Sequence, residues 1–431
     1  MRVRRIELAS DDPMQARALG KTIRAFAPGP SDLAPSVTEI LAAVRQRGDS
    51  AVVEFTRRYD TERSPDDPRV SKDKLAAALD QLDPQVREAL EVATANVRVV
   101  AEAEHREDVS VTLAQGQRVE LRRVSVRRAG VYVPGGRAAY PSTVVMCCVP
   151  AKVAGVGQLV VVTPPGDEGE PNDVVLAACA LCGVDEVFAI GGAQAIGALA
   201  FGTESVKPVD VIVGPGSAYV QEAKRQVVGA VGIDGIEGPS EVVVIADESA
   251  DPELVALDLA AQGEHGAATL LALLGTSEEV LDRVQELIET LDAEHESLAE
   301  AALAIVRAPT LAAALELANA LAPEHLELSC ANAEQLATDV RASGCVFLGH
   351  NGGAAFGDYA AGSNHVLPTG GAARYASPLG TSTFLRRQAI VSLPDQAVQA
   401  LAPHVGSLAR AEGFPLHAKS AEARVANRDT S

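Results

Sequence analysis

Four short β-branched runs, each closed by glycine or proline, constrain this chain more than any other feature: "VRRAGVYVPGG", "QLVVVTPPG", "EVFAIGG" and "VDVIVGPG". Between them lie Asp173–Cys182, Ala193–Phe201 and Ala218–Val228, which have the length and apolar spacing of helices. Strands separated by helices must run parallel and connect by right-handed crossovers, so this region predicts a sheet covered by helices. A second alternation follows: "SEVVVIAD", a helix from about Pro252, "ATLLALLG", a helix from about Ser277, "LAIVRA", a helix through Leu317, and "GCVFLG". It predicts a second α/β unit. A chain of 431 residues also exceeds what one hydrophobic core usually supports. Upstream, apolar residues at spacings of three and four, as in Val37, Ile40, Leu41 and Val44, predict helix from Ser31 to about Tyr59 and from Lys72 to about Arg106. From about Leu385 the chain reads as polar helix and extended tail. That tail is too poor in apolar residues to build a core, so it must pack on the body of its own chain or on another subunit.

Charge and composition exclude several partners. Lys and Arg number 37 against 58 Asp and Glu, a net charge of −21, which repels polyphosphate unless cations gather on one face. With aromatic residues at 3% and no Trp, stacking platforms for single strands are also lacking, so no nucleic-acid partner is expected. The stretch "TVVMCCVPA" is far short of a bilayer span, and "MRVRRIELASDDPM" has cations without an apolar segment behind them, so neither membrane insertion nor secretion is expected. Six cysteines in a chain this long form no disulfide framework and point to a reducing cytoplasm. Cys179 and Cys182 form a C-x-x-C, but their apolar surroundings read as a helix packed on a sheet rather than a redox or zinc pair.

The turns after the first set of strands carry Gly135 and Gly136, then Gly191 and Gly192, then Gly214 and Gly216. Each brings bare backbone N–H groups to a helix start, where a phosphate can be held. One such turn is only a tight turn; three in consecutive β-α steps favour a nucleotide, although no GxGxxG is present. Histidine is the second signal. "AAQGEHGAAT" sets Gln262 three before His265, "FGDYAAGSNHVLPTGG" sets Asp358 seven before His365, "LAPEHLEL" pairs Glu324 with His325, and "EGFPLHAKS" sets Glu412 five before His417. Together these offer imidazole, carboxylate and amide donors without thiolate, a set suited to zinc or another borderline divalent ion. Spacing alone leaves the metal undecided.

In this order, "IGGAQAIGALAFGTESV", "VGPG", "EGPSEVVVIAD", "QGEHG", "APEHLEL", "GDYAAGSNHVLPTGG" and "EGFPLHA" resemble the histidinol dehydrogenase family, from about Val126 to His417. The resemblance implies a four-electron oxidation of L-histidinol through L-histidinal to L-histidine, using two NAD in turn and one zinc per subunit. It places zinc on Gln262, His265, Asp358 and His417, and proton chemistry on Glu324 and His325. Substrate contacts fall on Ser240, His325, His365 and Glu412 beside the metal ligands, and NAD contacts on Tyr132, Gln194 and Ser217. It further implies a homodimer of two incomplete Rossmann-like domains with swapped terminal segments, the C-terminal His completing the partner's site. The corresponding division is 1–24 as an N-terminal helical arm, 25–130 with 241–381 as the first domain with the metal and catalytic residues, 131–240 as the second on the NAD side, and 382–431 as the swapped tail.

Two positions depart from the family pattern. Ser217 stands where the family has Asn in G-P-G-N, offering a hydroxyl but no bidentate amide, and "IEGPSE" replaces P-A-G-P-S-E, bringing Glu237 close to Ser240 in sequence. Side chains of consecutive extended residues point apart, so Glu324 and His325 require a turn or bulge after Pro323 to meet one substrate. Three rival readings remain at this stage. A family relative would oxidise another small amino or sulfonated alcohol. A zinc hydrolase would use Glu324 to activate water without a nucleotide, against which the glycine turns weigh. A non-enzymatic scaffold leaves the paired motifs without a use.

Overall fold

The computed structural model describes residues 1–26, 33–135, 138–266, 268–298 and 300–426. Ser31, where the first helical stretch was expected to begin, and Gly136 of the first glycine turn lie outside the described residues. The chain divides into two compact units, one of Met1–Glu104 with Val126–Phe384, the other of His105–Ser125 with Leu385 onward. No helix among the described residues is long and apolar enough to cross a membrane.

The first unit contains two six-stranded sheets. In one, the order is Arg2–Glu7, Ala302–Arg307, Leu270–Gly275, Glu241–Ala246, His325–Ser329, Cys345–Leu348, all parallel. Its central strands alternate strictly between two apolar layers. Val243, Ile245, Ala272, Leu274, Ala304 and Val306 face the helices Pro13–Arg24 and Leu311–Leu321. Val242, Val244, Leu271, Leu273, Leu303 and Ile305 face Pro252–Gly263 and Glu278–Glu294. Burial on both faces explains the near-continuous apolar runs in the sequence. In the other sheet the order is Arg69–Val70, Glu186–Ala189, Gln158–Thr163, Arg128–Tyr132, Val211–Val213, Gly232–Ile233, parallel except for the first strand. The helices between its strands, Asp173–Leu181, Gly192–Phe201 and Ala218–Val227, fall within a residue of the expected ones.

The N-terminal part differs from its sequence reading. Residues 1–24 are not purely helical, since Arg2–Glu7 forms an edge strand beside Ala302–Arg307. Its charged, outward-facing side chains hide the alternation that would mark a strand. The stretch expected as helical to about Tyr59 holds two helices, Ala34–Arg47 and Asp49–Tyr59, separated at Gly48 with φ 56°. That stretch also does not build on the sheet that bears His325, as the grouping of 25–130 with 241–381 had it. Val37, Ile40, Leu41 and Val44 pack with Ile196, Leu199 and Val220 of the second sheet's helices, and Arg69–Val70 joins that sheet.

The second unit is a three-stranded antiparallel sheet, Leu385–Ser392, Arg118–Ser125 and Val109–Thr112, followed by helices Asp395–Ala411 and Pro415–Ala426 that pack on each other. It is as poor in buried apolar residues as the sequence implied. Leu408, Phe414 and Leu416 are 67%, 53% and 77% exposed.

Candidate active site

The charged groups of the first sheet gather where its strands begin. Glu241 opens one strand and His325 opens its neighbour; the two strands run in parallel register, with Val242 opposite His325. The helix Leu311–Leu321 ends on Ala322 in the left-handed conformation, φ 47°, and Pro323 follows. The chain turns at Ala322 and bends again at Glu324, directly after Pro323. It brings Glu324 and His325 onto the same partner. Glu324 Oε2 accepts from the Glu241 N–H at 2.8 Å, the Glu324 N–H donates to Glu241 Oε2 at 3.3 Å, and His325 Nδ1 lies 3.1 Å from the Glu241 carbonyl. Glu241 itself is held by Arg24 Nη1 at 2.6 Å and by the Gly370 N–H at 3.0 Å.

Asp358, on the short helix Ala354–Tyr359, completes the cluster, with Oδ1 3.1 Å from His325 Nε2. Its carbonyl lies 2.8 Å from His365 Nδ1, and His365 Nε2 is 3.4 Å from Thr143 Oγ1. The electrostatics follow from burial and these contacts. Burial pushes the Glu324 carboxyl up to about 8, despite the nearby His325 and the Glu241 N–H. Burial pulls the His325 imidazole down, but the Asp358 hydrogen bond and the Glu324 and Asp358 charges outweigh it and carry it to about 9. Asp358 resists its own desolvation through His325, with help from His365 and His265, and stays below the usual carboxylate range. Desolvation lowers both His265 and His365, favouring neutral imidazole.

Gln262 and His265 sit at the carboxyl end of helix Pro252–Gly263, ahead of the strand Leu270–Gly275. Gln262 is buried, and its Nε2 finds no hydrogen-bond partner among the described residues. A neutral His265 imidazole and an ionised Asp358 carboxylate within electrostatic reach of each other, with the side-chain oxygen of Gln262 three residues before His265, suit a divalent ion with nitrogen and oxygen ligands. Among the described residues no three His, Cys, Asp or Glu side chains come together as a complete metal group. One donor of the expected set is an amide, and His417 belongs to the second unit, where it is exposed on helix Pro415–Ala426 with its ring 5.4 Å from that of Phe414. Glu412 is exposed in the same unit, at the end of helix Asp395–Ala411. Ser240 precedes the Glu241 strand, half-buried, its carbonyl accepting from the Leu270 N–H at 3.1 Å.

The nucleotide candidates collect at the opposite end of the other sheet. Tyr132 closes the strand Arg128–Tyr132, whose neighbours Gln158–Thr163 and Val211–Val213 are reached by connections running in opposite directions. That is the switch point where open α/β sheets place ligands. The Tyr132 hydroxyl accepts from the Gly192 N–H at 3.2 Å, and Gln194 Nε2 donates to Asp60 Oδ2 at 3.3 Å. Gly214, with φ 109°, passes so close to the Tyr132 carbonyl that an added Cβ would lie 2.2 Å from its oxygen, so only glycine fits. Ser217 begins the helix Ala218–Val227, exposed and without a side-chain cap. Glu237 faces inward, 7% exposed, its Oε2 accepting from Lys224 Nζ at 2.7 Å; Lys224, fully buried, also reaches Asp234 Oδ1 at 2.6 Å. Cys179 and Cys182 are buried free thiols in or beside helix Asp173–Leu181, pushed up by burial, as a packing role requires.

Sequence reasoning missed Glu241, Arg24, Asp60 and Lys224. A carboxylate opening the otherwise apolar run "EVVVIA" was the available signal for Glu241. Lys224 shares one helix face with the buried Val220 and Val227, a spacing that marks an inward-facing cation.

A family model described as histidinol dehydrogenase matches residues 28–425. A histidinol dehydrogenase of Dechloromonas aromatica (strain RCB) is 47% identical over 401 residues, 91% of this chain and 92% of that protein. One from Pseudomonas syringae pv. syringae (strain B728a) is 43% identical over 435 residues, covering 99% and 96%. Among solved structures, histidinol dehydrogenase from Elizabethkingia anophelis superposes with a TM-score of 0.91 at 30% identity, covering 100% of this chain and 99% of that one.

Proposed function

The chain belongs to the histidinol dehydrogenase family, oxidoreductases of histidine biosynthesis, and on that premise we propose the residues and cofactors with which it works. It oxidises L-histidinol through L-histidinal to L-histidine in the cytoplasm, with two NAD in turn and one zinc per subunit. The observation that carries the assignment is the pairing of Glu324 and His325 on Glu241, with His325 also against Asp358 and an orphaned Gln262 amide on the same sheet's helix.

Gln262, His265, Asp358 and His417 would hold the zinc, which when bound supplies a Lewis acid that fixes a neutral amine or imidazole of the substrate and stabilises developing negative charge. His325 takes the hydroxyl proton as hydride passes from carbon to NAD, so the alcohol loses one hydride and one proton and becomes an aldehyde. Glu324, in its ionised form, draws a proton from water as that water adds to the aldehyde carbonyl. His325 returns its proton to the carbonyl oxygen as the water adds, then takes a hydroxyl proton of the hydrate as the second hydride passes to NAD, which leaves a carboxylic acid. Ser240, His365 and Glu412 orient the amino alcohol, the carboxylate suiting a basic substrate. Tyr132, Gln194 and Ser217 hold NAD at the switch point of the second sheet.

A homodimer with shared sites is part of this reading. Its support is the second unit's exposed Leu408, Phe414 and Leu416, which need a covering surface, on the helices that carry Glu412 and His417. The test is NADH formation followed by absorbance with histidinol, with other small alcohols and after strong chelation. Rapid, chelator-sensitive turnover of histidinol is expected. Preference for another alcohol would reassign the substrate, and full activity in metal-free protein would remove the zinc.

A further inference from the structure

A cavity of about 700 Å³ lies between helix Pro13–Arg24, helix Leu311–Leu321 and the turn at Gly370 and Gly371. Arg17, Lys21 and Arg24 line it from one helix face, at spacings of four and three, and Arg341 and Arg374 close it from two other segments. The chain as a whole carries a charge of −21, so five cations around one cavity run against its own average. Two of them have carboxylates: Arg341 holds Glu316 at 2.7 Å and Arg24 holds Glu241 at 2.6 Å. For Arg17, Lys21 and Arg374 no ion pair exists among the described residues, which leaves three positive charges over.

Arg17 and Lys21 stand four apart on the helix, where like charges cost a few tenths of a kcal/mol. Gathering further guanidinium groups over the same space adds to that repulsion unless an anion offsets it. The backbone leaves room for one. Gly370 has φ 64°, and a Cβ placed there would meet nothing within 4 Å. The guanidinium forks match the paired oxygens of phosphoryl or carboxylate groups, and the volume suits a small organic molecule rather than a bare ion.

We propose that this cavity is a binding site for a multivalent oxyanion, a phosphorylated or polycarboxylated small metabolite, bordered on one side by Arg24 and Gly370, which also hold Glu241. Because the readout is binding, the outcome does not depend on the identity of the oxidised alcohol. Pyrophosphate and citrate are titrated calorimetrically into the full-length protein at constant ionic strength, with sodium chloride as the baseline. At least one of the two is expected to bind saturably, and which one does so identifies the anion. The Arg17→Gln/Lys21→Gln protein, altered only at exposed side chains, should bind about tenfold more weakly for each charge removed. Arg374→Gln should weaken it by a similar factor, and Arg225→Gln/Arg283→Gln, remote from the cavity, should leave it unchanged. Failure of both anions to saturate, or equal affinity in the cavity variants and the remote variant, overturns the proposal; the second result would place pyrophosphate elsewhere, such as the nucleotide edge of the other sheet.

Discussion

The two six-stranded sheets of the first unit share one strand order and use opposite ends of it. In each, two strands step one way from a central strand, Glu241–Ala246 or Arg128–Tyr132, the next two step the other way, and an N-terminal strand closes the edge. One sheet crowds Glu241, Glu324 and His325 at the start of its strands, where buried charge must be matched. The other places Tyr132 and the glycine turns after its strands end, where the Gly192, Gly191 and Gly214 N–H groups are held by Tyr132, Asp60 and Asp234. Strand order therefore says where a ligand can bind, and the residues at each end decide which chemistry occurs there.

The sharpest break of this comparison asks whether the first sheet's site is complete in one chain. His265→Asn and His417→Asn homodimers should each be inactive, for each lacks one proposed zinc ligand in both sites. Refolded together, random pairing makes about half the dimers mixed, each with one site missing both ligands and one missing neither, so about a quarter of wild-type activity should return. Tagged mixed dimers without recovery would place each site within a single chain.

Next in size is the division of labour at the strand start. His325→Asn should lower both hydride transfers by roughly 10²–10⁴. Glu324→Gln should spare the first and impair the second, measured by single-turnover absorbance from the alcohol and, separately, from the aldehyde. Equal losses for Glu324→Gln on both substrates would make Glu324 a positioning group.

Two buried carboxylates, one beside each sheet, should respond oppositely to losing their charge. Glu241 is paired, and Glu241→Gln leaves Arg24 facing an amide, which should cost about 2–3 kcal/mol in urea unfolding once the partial exposure of Arg24 is discounted. A loss below about 0.5 kcal/mol would show the pair to be incidental. Asp60 has no ion pair among the described residues. Burial lifts its carboxyl to about 6, against the Gly191 N–H that lowers it. Its folded pKa lies above the unfolded value of 3.8, so ionised Asp60 costs stability at neutral pH, and that cost fades as pH falls from 6 towards 4. Asp60→Asn should accordingly stabilise the protein in urea unfolding at pH 7.5, by on the order of 1 kcal/mol, and change little at pH 4. A gain of the same size at both pH values would assign the effect to packing.

The order of strands and helices from Arg128 to Leu348 was legible because both faces of each sheet are covered, which turns every strand into an apolar run and every connection into a helix. The edge strand Arg2–Glu7 was not, since an edge exposes its charges and has one neighbour to match. The paired motifs of the site could be read from local spacing. Glu241 and Arg24 could not, because the contact joining them spans 217 residues and only the fold brings it about. Where the helices of residues 34–104 dock was equally closed to inspection: amphipathic spacing says that a face is buried, not which sheet buries it.

The pairing of Arg2–Glu7 with Ala302–Arg307 has a consequence in time. Its partners are 300 residues apart, so at about 5–20 residues per second the first strand emerges roughly 15–60 s before the strand it pairs with has been synthesised. The other sheet, whose strands all lie between Arg69 and Ile233, is finished within that interval. On the ribosome that second sheet can take shape while the leading strand waits, an unpaired segment that a chaperone would have reason to shield until Ala302–Arg307 emerges to pair with it.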